Sequence, residues 1–428
     1  MNYGSLRRVA IVGANRIPFA RSNTAYARLS NQDMLTATLQ GLVKKCRLDG
    51  ETLGEVAGGA VMKHSRDWNL VRECVLSSGL SPATPAYDVQ QACGTGLEAA
   101  ILVANKIALG QIEAGIACGS DTTSDAPVAV HRGLQRALMD LNAARTTGAK
   151  LQAMLSALNP KHLIPEIPAN VEPRTHLSMG QHAERTAQRF GITRKAQDEL
   201  ALASHRNLAR AYDEGFFDDL VMPFQGLSRD NNLRPDTTLE KMAKLPPVFD
   251  RVNGTITAAN ASPLTDGASA VLLATEDWAQ TRGLPVLAHM THAEVAAVDF
   301  IEESREGLLM APAYAVPRML RKAGISLQDF DYYEIHEAFA AVVLCTLAAW
   351  ESEAFCRDKL GLAAPLGSID RAKLNVKGSS IAAGHPFAAT GGRIVATLAK
   401  ILAQAGRGRG LISICAAGGQ GVTAILEK

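Results

Sequence analysis

C-G-T-G-L-E-A-A-I-L-V-A-N-K-I-A-L-G-Q-I-E-A-G-I-A-C-G-S, from Cys93 to Ser120, passes through a turn, a helix and a strand in that order. Gly94 and Gly96 permit a tight turn after the extended stretch 85–91. Leu97 to Leu109 then carries a helical apolar pattern stopped by Gly110, and A-G-I-A-C-G-S reads as a short strand. The last part of the chain repeats the unit. There G-H-P-F-A-A-T-G-G (384–392) leads into Ile394, Val395, Leu398, Ile401 and Leu402 at helical spacing, then into L-I-S-I-C-A-A-G-G (411–419). Both units run turn, helix, strand, cysteine, glycine, which predicts two similar halves. Strand-length apolar runs such as Val9–Val12 and Leu411–Cys415 alternate with helical patterns, so each half is expected to be α/β, with buried sheets covered by helices.

The chain between the halves differs. Pro160, Pro165, Pro168 and Pro173 punctuate one stretch, R-D-N-N-L-R-P-D (229–236) reads as loop, and strong helix formers fill 196–215. The expected division is an N-terminal half over 1–122, an inserted loop or lid domain over 123–254, a return to the first half over 255–285, and a C-terminal half over 286–428. Within the insertion, Leu134, Leu138 and Leu141, then Leu151, Leu155 and Leu158, recur at helical spacing. Arg132, Arg136, Arg145, Lys150 and Lys161 face a single acid, Asp140. Such a pair is expected to lay its apolar face on the body of the protein, with a membrane-surface or partner-docking role as the alternative.

Composition narrows the function classes. At 428 residues the chain can bury a large core, and 44 basic against 42 acidic residues give no electrostatic case for nucleic acid or an anionic surface. Seven cysteines without C-x-x-C spacing argue against a disulfide framework or a zinc ribbon and for a reducing compartment. The start, M-N-Y-G-S-L-R-R, lacks the apolar core of a secretory signal, so no export is expected. The longest apolar run, Ala338–Trp350, is too short to span a bilayer and is expected to be a buried helix, with no transmembrane segment.

Four places could carry chemistry. Cys93 has a packing reading, but its place near a helix N-terminus would lower a thiol pKa and increase the nucleophilic thiolate. The overlapping G-x-G-x-x-A at Gly94–Ala99 lacks its confirming acid, because Glu113 precedes the next strand and Asp121 follows it late. In D-Y-Y-E-I-H-E-A-F-A (331–340), His336 and Glu337 resemble the start of a zinc-protease helix, yet Ala340 stands where the second ligand belongs, so no metal is expected. His336 is instead a candidate donor to a developing oxyanion or a structural histidine. His385 is fixed between Gly384 and Pro386, and Cys415 leaves a strand into a glycine-rich turn whose N–H groups are free to face a ligand. Together these residues supply a nucleophile, a base, an oxyanion donor and a second thiol.

The ordered blocks N-A-S-P-L-T-D-G-A-S (260–269), H-E-A-F-A (336–340), G-S-S-I-A-A-G-H-P-F-A-A-T-G (378–391) and C-A-A-G-G-Q-G (415–421), with Q-A-C-G-T-G around Cys93, closely resemble the thiolase family. H-E-A-F-A and C-A-A-G-G look like the thiolase subunits of fatty-acid oxidation trifunctional complexes; most of the family has asparagine at the His336 position. The resemblance implies a duplicated five-layer α/β/α/β/α fold with an inserted loop domain. It also implies reversible thiolysis of 3-ketoacyl-CoA, with coenzyme A and acyl-CoA as substrates and no prosthetic group. By motif, Cys93 would accept the acyl group, His385 would take its proton, and Cys415 would exchange a proton with coenzyme A or the acetyl-CoA α-carbon. His385, with either a water at the His336 position or that ring itself, would form one oxyanion hole. Backbone N–H groups of Cys93 and Ala417 would form the other. Ser262 and Met179 resemble pantetheine contacts, and Phe339 a substrate-pocket residue.

The family also implies a homodimer or homotetramer and a possible enoyl-CoA hydratase/3-hydroxyacyl-CoA dehydrogenase partner, and the cysteine usage with no export signal predicts a cytoplasmic setting. Rival readings are a short-chain acetyl-CoA acetyltransferase working in the condensing direction, and a thiolase-fold lipid-binding or scaffold protein. Decarboxylating ketoacyl synthases share a Cys-His-His set but need no thiol base, so Cys415 separates them from this chain.

Overall fold

The duplication seen in the turn–helix–strand units extends to the main strand order of each half, the short β2–β6 pairing of the first half apart. In the computed structural model, which describes residues 6–301 and 306–428, the first half contains β1 (Ala10–Arg16), β2 (Ala20–Arg21), α1 (Asn31–Cys46), β3 (Glu55–Gly59), α2 (Leu70–Leu76), β4 (Ala86–Asp88), α3 (Thr95–Ala108) and β5 (Ala114–Asp121). Residues Met1–Ser5, part of the start from which no export is expected, lie outside the described residues. The chain then runs through α4 (Arg132–Ala143), α5 (Thr147–Ala157), α6 (Met179–Arg189), α7 (Arg194–Asp213) and α8 (Leu239–Ala243). It rejoins the sheet at β6 (Thr265–Ala274), followed by α9 (Glu276–Thr281). The second half contains β7 (Ala288–Ala297), α10 (Pro312–Ala323), β8 (Tyr332–Ile335), α11 (Ala340–Glu351), α12 (Glu353–Asp358), α13 (Ser380–Ala383), α14 (Ala389–Ala405), β9 (Arg409–Ala416) and β10 (Gln420–Glu427).

In the first half β4, β3 and β5 are parallel, and β5, β6 and β1 follow antiparallel. The second half repeats this: Leu374 bridges in parallel to Tyr333 of β8, β8 and β9 are parallel, and β9, β10 and β7 follow antiparallel. Among the described residues the two half-sheets join only through the strand pairs Ala10–His289 and Ile11–Ala288. That short seam lets the halves turn their faces toward each other with helices between.

α3 packs against β3, β5, β6 and β10, and α14 touches strands of both half-sheets, so these two helices form the middle layer. α1 covers the outer face of the first half-sheet and α10 that of the second, giving five layers, α/β/α/β/α. Strands buried on both faces read as continuous apolar or small-residue runs rather than alternating ones, and β6 is buried along its whole length. The middle helices are likewise buried nearly all round, through Leu97, Ala99, Ala100, Val103 and Ile107 in α3 and Ile394, Val395, Leu398 and Leu402 in α14.

The first turns of α3 and α14 cross at glycines. A Cβ on Gly391 would overlap the backbone nitrogen of Leu97, and one on Gly96 would lie 2.5 Å from the carbonyl oxygen of Ala388. Backbone on both sides cannot yield as a side chain can. Gly391→Ala is therefore expected to destabilise the protein by at least ~3 kcal/mol, the upper part of the range for overpacked cores. Gly148→Ala, on α5 where an added Cβ meets nothing within 4 Å, should be neutral or slightly stabilising. Denaturant midpoints measure both, and a Gly391→Ala loss below ~1 kcal/mol would show that the crossing can open.

The insertion is tied to the body by a buried ion pair. Arg16 of β1 donates to both carboxylate oxygens of Asp230, at 2.6 and 2.8 Å, and Asp230 also accepts from the Phe19 N–H and the Tyr212 hydroxyl. The pair α4–α5 behaves differently from the expectation. Ala137 and Ala153 are its buried residues, while Leu138, Met139, Leu151, Met154, Leu155 and Leu158 are exposed. The two helices pack on each other, Leu134 and Leu141 are half-buried, and the rest of the apolar stripe is left exposed rather than laid on the body. The run Ala338–Trp350 forms most of the buried α11 (Ala340–Glu351), and no helix among the described residues is long and apolar enough to cross a membrane.

Candidate active site

Residue 92 sets the geometry of Cys93. Ala92 takes a left-handed φ of 47°, a conformation that costs a non-glycine residue about 1–2 kcal/mol. Thr95 holds it there: its hydroxyl accepts from the Gln91 N–H at 2.8 Å and donates to the Ala92 carbonyl at 2.7 Å. Gly94, the N-cap of α3, leaves no room for a side chain against Val422. The result is a sharp bend that aims Cys93 at the seam between the halves.

His385 comes from the other half. Its backbone N–H donates to Thr265 Oγ1 at 2.6 Å, which fixes the loop to the start of β6. Its ring bridges Thr390 Oγ1, 2.6 Å from Nδ1, and Cys93 Sγ, 3.0 Å from Nε2. With Thr390 accepting from Nδ1–H, Nε2 presents its lone pair to the thiol. Phe387 stands edge-on to this ring at 5.3 Å.

Cys415 is the last residue but one of β9, just before the turn Ala417–Gly419, where Gly418 and Gly419 have φ of +79° and +72°. The N–H groups of Ala417 and of Cys93 itself both face the Cys93 sulfur. His336 follows β8, its N–H bonded to the Ser413 carbonyl at 2.9 Å, and its ring centre lies 4.2 Å from that of His385. The Cys93 sulfur and one ring nitrogen each of His336 and His385 lie within 4.8 Å of one another.

Cys93, His385, Cys415 and Ala417 line one cavity of about 220 Å³ with Met179, Ser262 and Phe339. Met179 opens α6, Phe339 caps α11 and meets Phe249 edge-on at 5.8 Å, and the Ser262 hydroxyl donates to the Ala338 carbonyl at 2.9 Å. All the residues singled out in the sequence therefore gather around this cavity, with His336 just behind it. Those that sequence reasoning missed are Thr390, Thr265, Phe249, Ser380 and Arg393. Thr265, Ser380 and Thr390 sit inside the quoted blocks, Thr390 five residues beyond His385, whereas Phe249 and Arg393 lie outside them.

One expectation is corrected. Burial pushes the Cys93 thiol up to about 12, against the lowering effect of the Ala417 and Cys93 N–H groups. Burial also holds His385 down to about 3, with the Arg393 cation adding to the effect. The helix N-terminus is present, but desolvation outweighs it. The resting pair is a neutral thiol beside a neutral imidazole. Cys415 is also raised by burial and by the nearby Cys93.

A nucleophile with a base at contact distance, N–H groups facing the sulfur and a second buried thiol suit acyl transfer between sulfurs. Comparison with known proteins agrees. The description "Thiolase, N-terminal domain" matches residues 9–277, and "Thiolase, C-terminal domain" matches residues 284–428. A 3-ketoacyl-CoA thiolase of Pectobacterium carotovorum is 43% identical over 98% of this chain and 96% of its own, and one of Shewanella baltica is 42% identical over 98% and 97%. Among solved structures, an acetyl-CoA acetyltransferase of Bacillus anthracis shares 30% identity at a TM-score of 0.82, covering 99% of both chains. Human mitochondrial 3-ketoacyl-CoA thiolase shares 29% at 0.80, covering 99% of this chain and 100% of its own. The chain belongs to the thiolase family of acyltransferases.

Proposed function

We propose that the protein is a 3-ketoacyl-CoA thiolase that works through an acyl-Cys93 intermediate, and that it serves fatty-acid β-oxidation. The observation that carries the reading is the 3.0 Å contact between Cys93 Sγ and His385 Nε2 at the edge of a cavity that also holds Cys415. Cys93 Sγ attacks the 3-keto carbon while its proton passes to His385 Nε2. The tetrahedral oxyanion is met by the N–H groups of Cys93 and Ala417. The C2–C3 bond breaks, and its electron pair leaves as the acetyl-CoA enolate, whose oxygen is met by His385 Nε2–H and the His336 side. Cys415 gives its proton to the enolate carbon. Coenzyme A then loses its thiol proton to Cys415, its sulfur attacks the acyl-Cys93 carbonyl, and Cys93 leaves with the proton held by His385.

Met179, Ser262 and Phe339 are assigned to the pantetheine arm and the acyl chain, on the strength of their place around the same cavity. The family resemblance supports a homodimer or homotetramer and a hydratase/dehydrogenase partner. The seven free cysteines suit a reducing cytoplasm.

Incubation with acyl-CoAs of rising chain length is expected to add one acyl mass to Cys93, and 3-ketoacyl-CoAs to be cleaved. Intact-mass spectrometry and thiolysis rates across chain length read both. A pure lipid binder would carry no adduct, whereas a short-chain acetyltransferase would turn over acetoacetyl-CoA alone.

A further inference from the structure

Behind the cavity lies a run of buried polar groups that the steps above do not use. Arg393, inside α14, is buried, and its Nη2 donates to Ser380 Oγ at 2.9 Å and to Ser379 Oγ at 3.3 Å. Ser380 Oγ in turn lies 2.8 Å from His336 Nδ1. Ser380 and His336 are both buried.

The order of donors along this run follows from the groups themselves. A guanidinium has only N–H groups and accepts nothing, so Arg393 is the donor to Ser380. One lone pair of the Ser380 oxygen is thereby used. Its own hydrogen needs an acceptor, and His336 Nδ1 is the one within reach. Nδ1 then carries the lone pair, and the single hydrogen of the neutral ring sits on Nε2. In the opposite tautomer Nδ1–H would point at an oxygen already receiving Arg393, leaving the hydroxyl hydrogen buried without a partner at a cost of about 1–3 kcal/mol. The ring stays neutral because burial, then the neighbouring His385 and Arg393, hold its pKa well below the ordinary value.

His336 Nε2 has no hydrogen-bond partner, although it is buried. Its ring packs against His385, and one of its nitrogens lies within 4.8 Å of the Cys93 sulfur. An unmatched donor held in one orientation beside a nucleophile is the arrangement that suits charge appearing only during reaction.

We infer that Ser380 and Arg393 are positioning residues that lock His336 as its Nε2–H tautomer, so that the ring itself, without an intervening water, donates to the enolate oxygen of acetyl-CoA. This rests on the thiolase reading. It sharpens that reading by naming the two residues that give a histidine the role of a fixed donor. The chemistry they act on is enolate formation, not the exchange of acyl groups between sulfurs.

That distinction supplies the test. Ser380→Ala removes the hydroxyl and little volume, and it leaves Arg393 in place beside Glu334, the buried carboxyl with which it interacts electrostatically. Deuterium exchange at the α-carbon of acetyl-CoA is expected to fall about 10²-fold in kcat, the size seen when an oxyanion donor is lost, with KM within about twofold. Acylation of Cys93 by acyl-CoA, which forms no enolate, should stay near the wild-type rate. In the wild-type protein, ¹⁵N spectra of labelled histidines should show His336 with a protonated Nε2 and a bare Nδ1, the signal being identified by its loss in His336→Asn. Unchanged exchange in Ser380→Ala, or a wild-type His336 protonated on Nδ1, overturns the inference. A wild-type protein that neither acylates Cys93 nor exchanges the α-proton overturns the thiolase reading beneath it.

Discussion

Cys93→Ala is expected to lower thiolysis of 3-ketoacyl-CoA by at least about 10⁴-fold, the scale on which enzymes lose rate when a covalent nucleophile is removed. No neighbour can replace it. Cys415 lines the same cavity, but His385 Nε2 faces Cys93 Sγ at 3.0 Å, and the N–H groups of Ala417 and Cys93 face that same sulfur. A thiol pushed up to about 12 is a poor nucleophile until its proton is taken, so His385→Ala should approach the same loss. Steady-state thiolysis, together with the missing acyl adduct, measures the effect. Near-wild-type turnover by Cys93→Ala would remove the covalent intermediate from the mechanism.

The second large effect is expected at Cys415 and is more selective. Cys415→Ala should leave Cys93 acylation by acyl-CoA intact, because that step needs only the nucleophile, its base and the N–H groups around the sulfur. Proton exchange at the α-carbon of acetyl-CoA should fall by about 10²–10⁴-fold, the usual contribution of a positioned acid or base. Burial holds the Cys415 thiol above its ordinary range, which keeps it protonated and ready to donate to an enolate carbon. Isotope exchange followed by mass spectrometry separates the two readouts, and undiminished exchange would show that another group moves this proton.

Much of the fold was legible because strands buried on both faces leave unbroken apolar runs, and because the turns before α3 and α14 need glycine to bring backbones together at Gly96 and Gly391. The same glycines exposed the site, since Cys93 and His385 each sit where such a turn meets a helix. The thiol's state was not legible. Nearness to a helix N-terminus can be read from spacing, but the burial that outweighs it depends on the facing half of the molecule. Nor could the amphipathic stripe of α4 and α5 say which way it faced, because periodicity fixes a face and not its partner. Ser380 and Arg393 look like ordinary buried residues until two segments from different places meet at His336.

The repeated strand order gives the two halves equivalent positions, yet they fill those positions differently. After β9 the second half makes a tight glycine turn that carries a thiol, and after β5 the first half opens into the whole 122–264 excursion whose residues wall the cavity. On the proposed reading the second half carries the proton-moving His385 and Cys415, and the first carries the acyl-accepting Cys93 with much of the cavity wall. The first half supplies Cys93 and most of the wall around it, so on that reading substrate preference can drift there while His336, His385 and Cys415 stay untouched in the second. A duplicated architecture of this kind separates what is transformed from how it is transformed, and a lineage can revise the first without relearning the second.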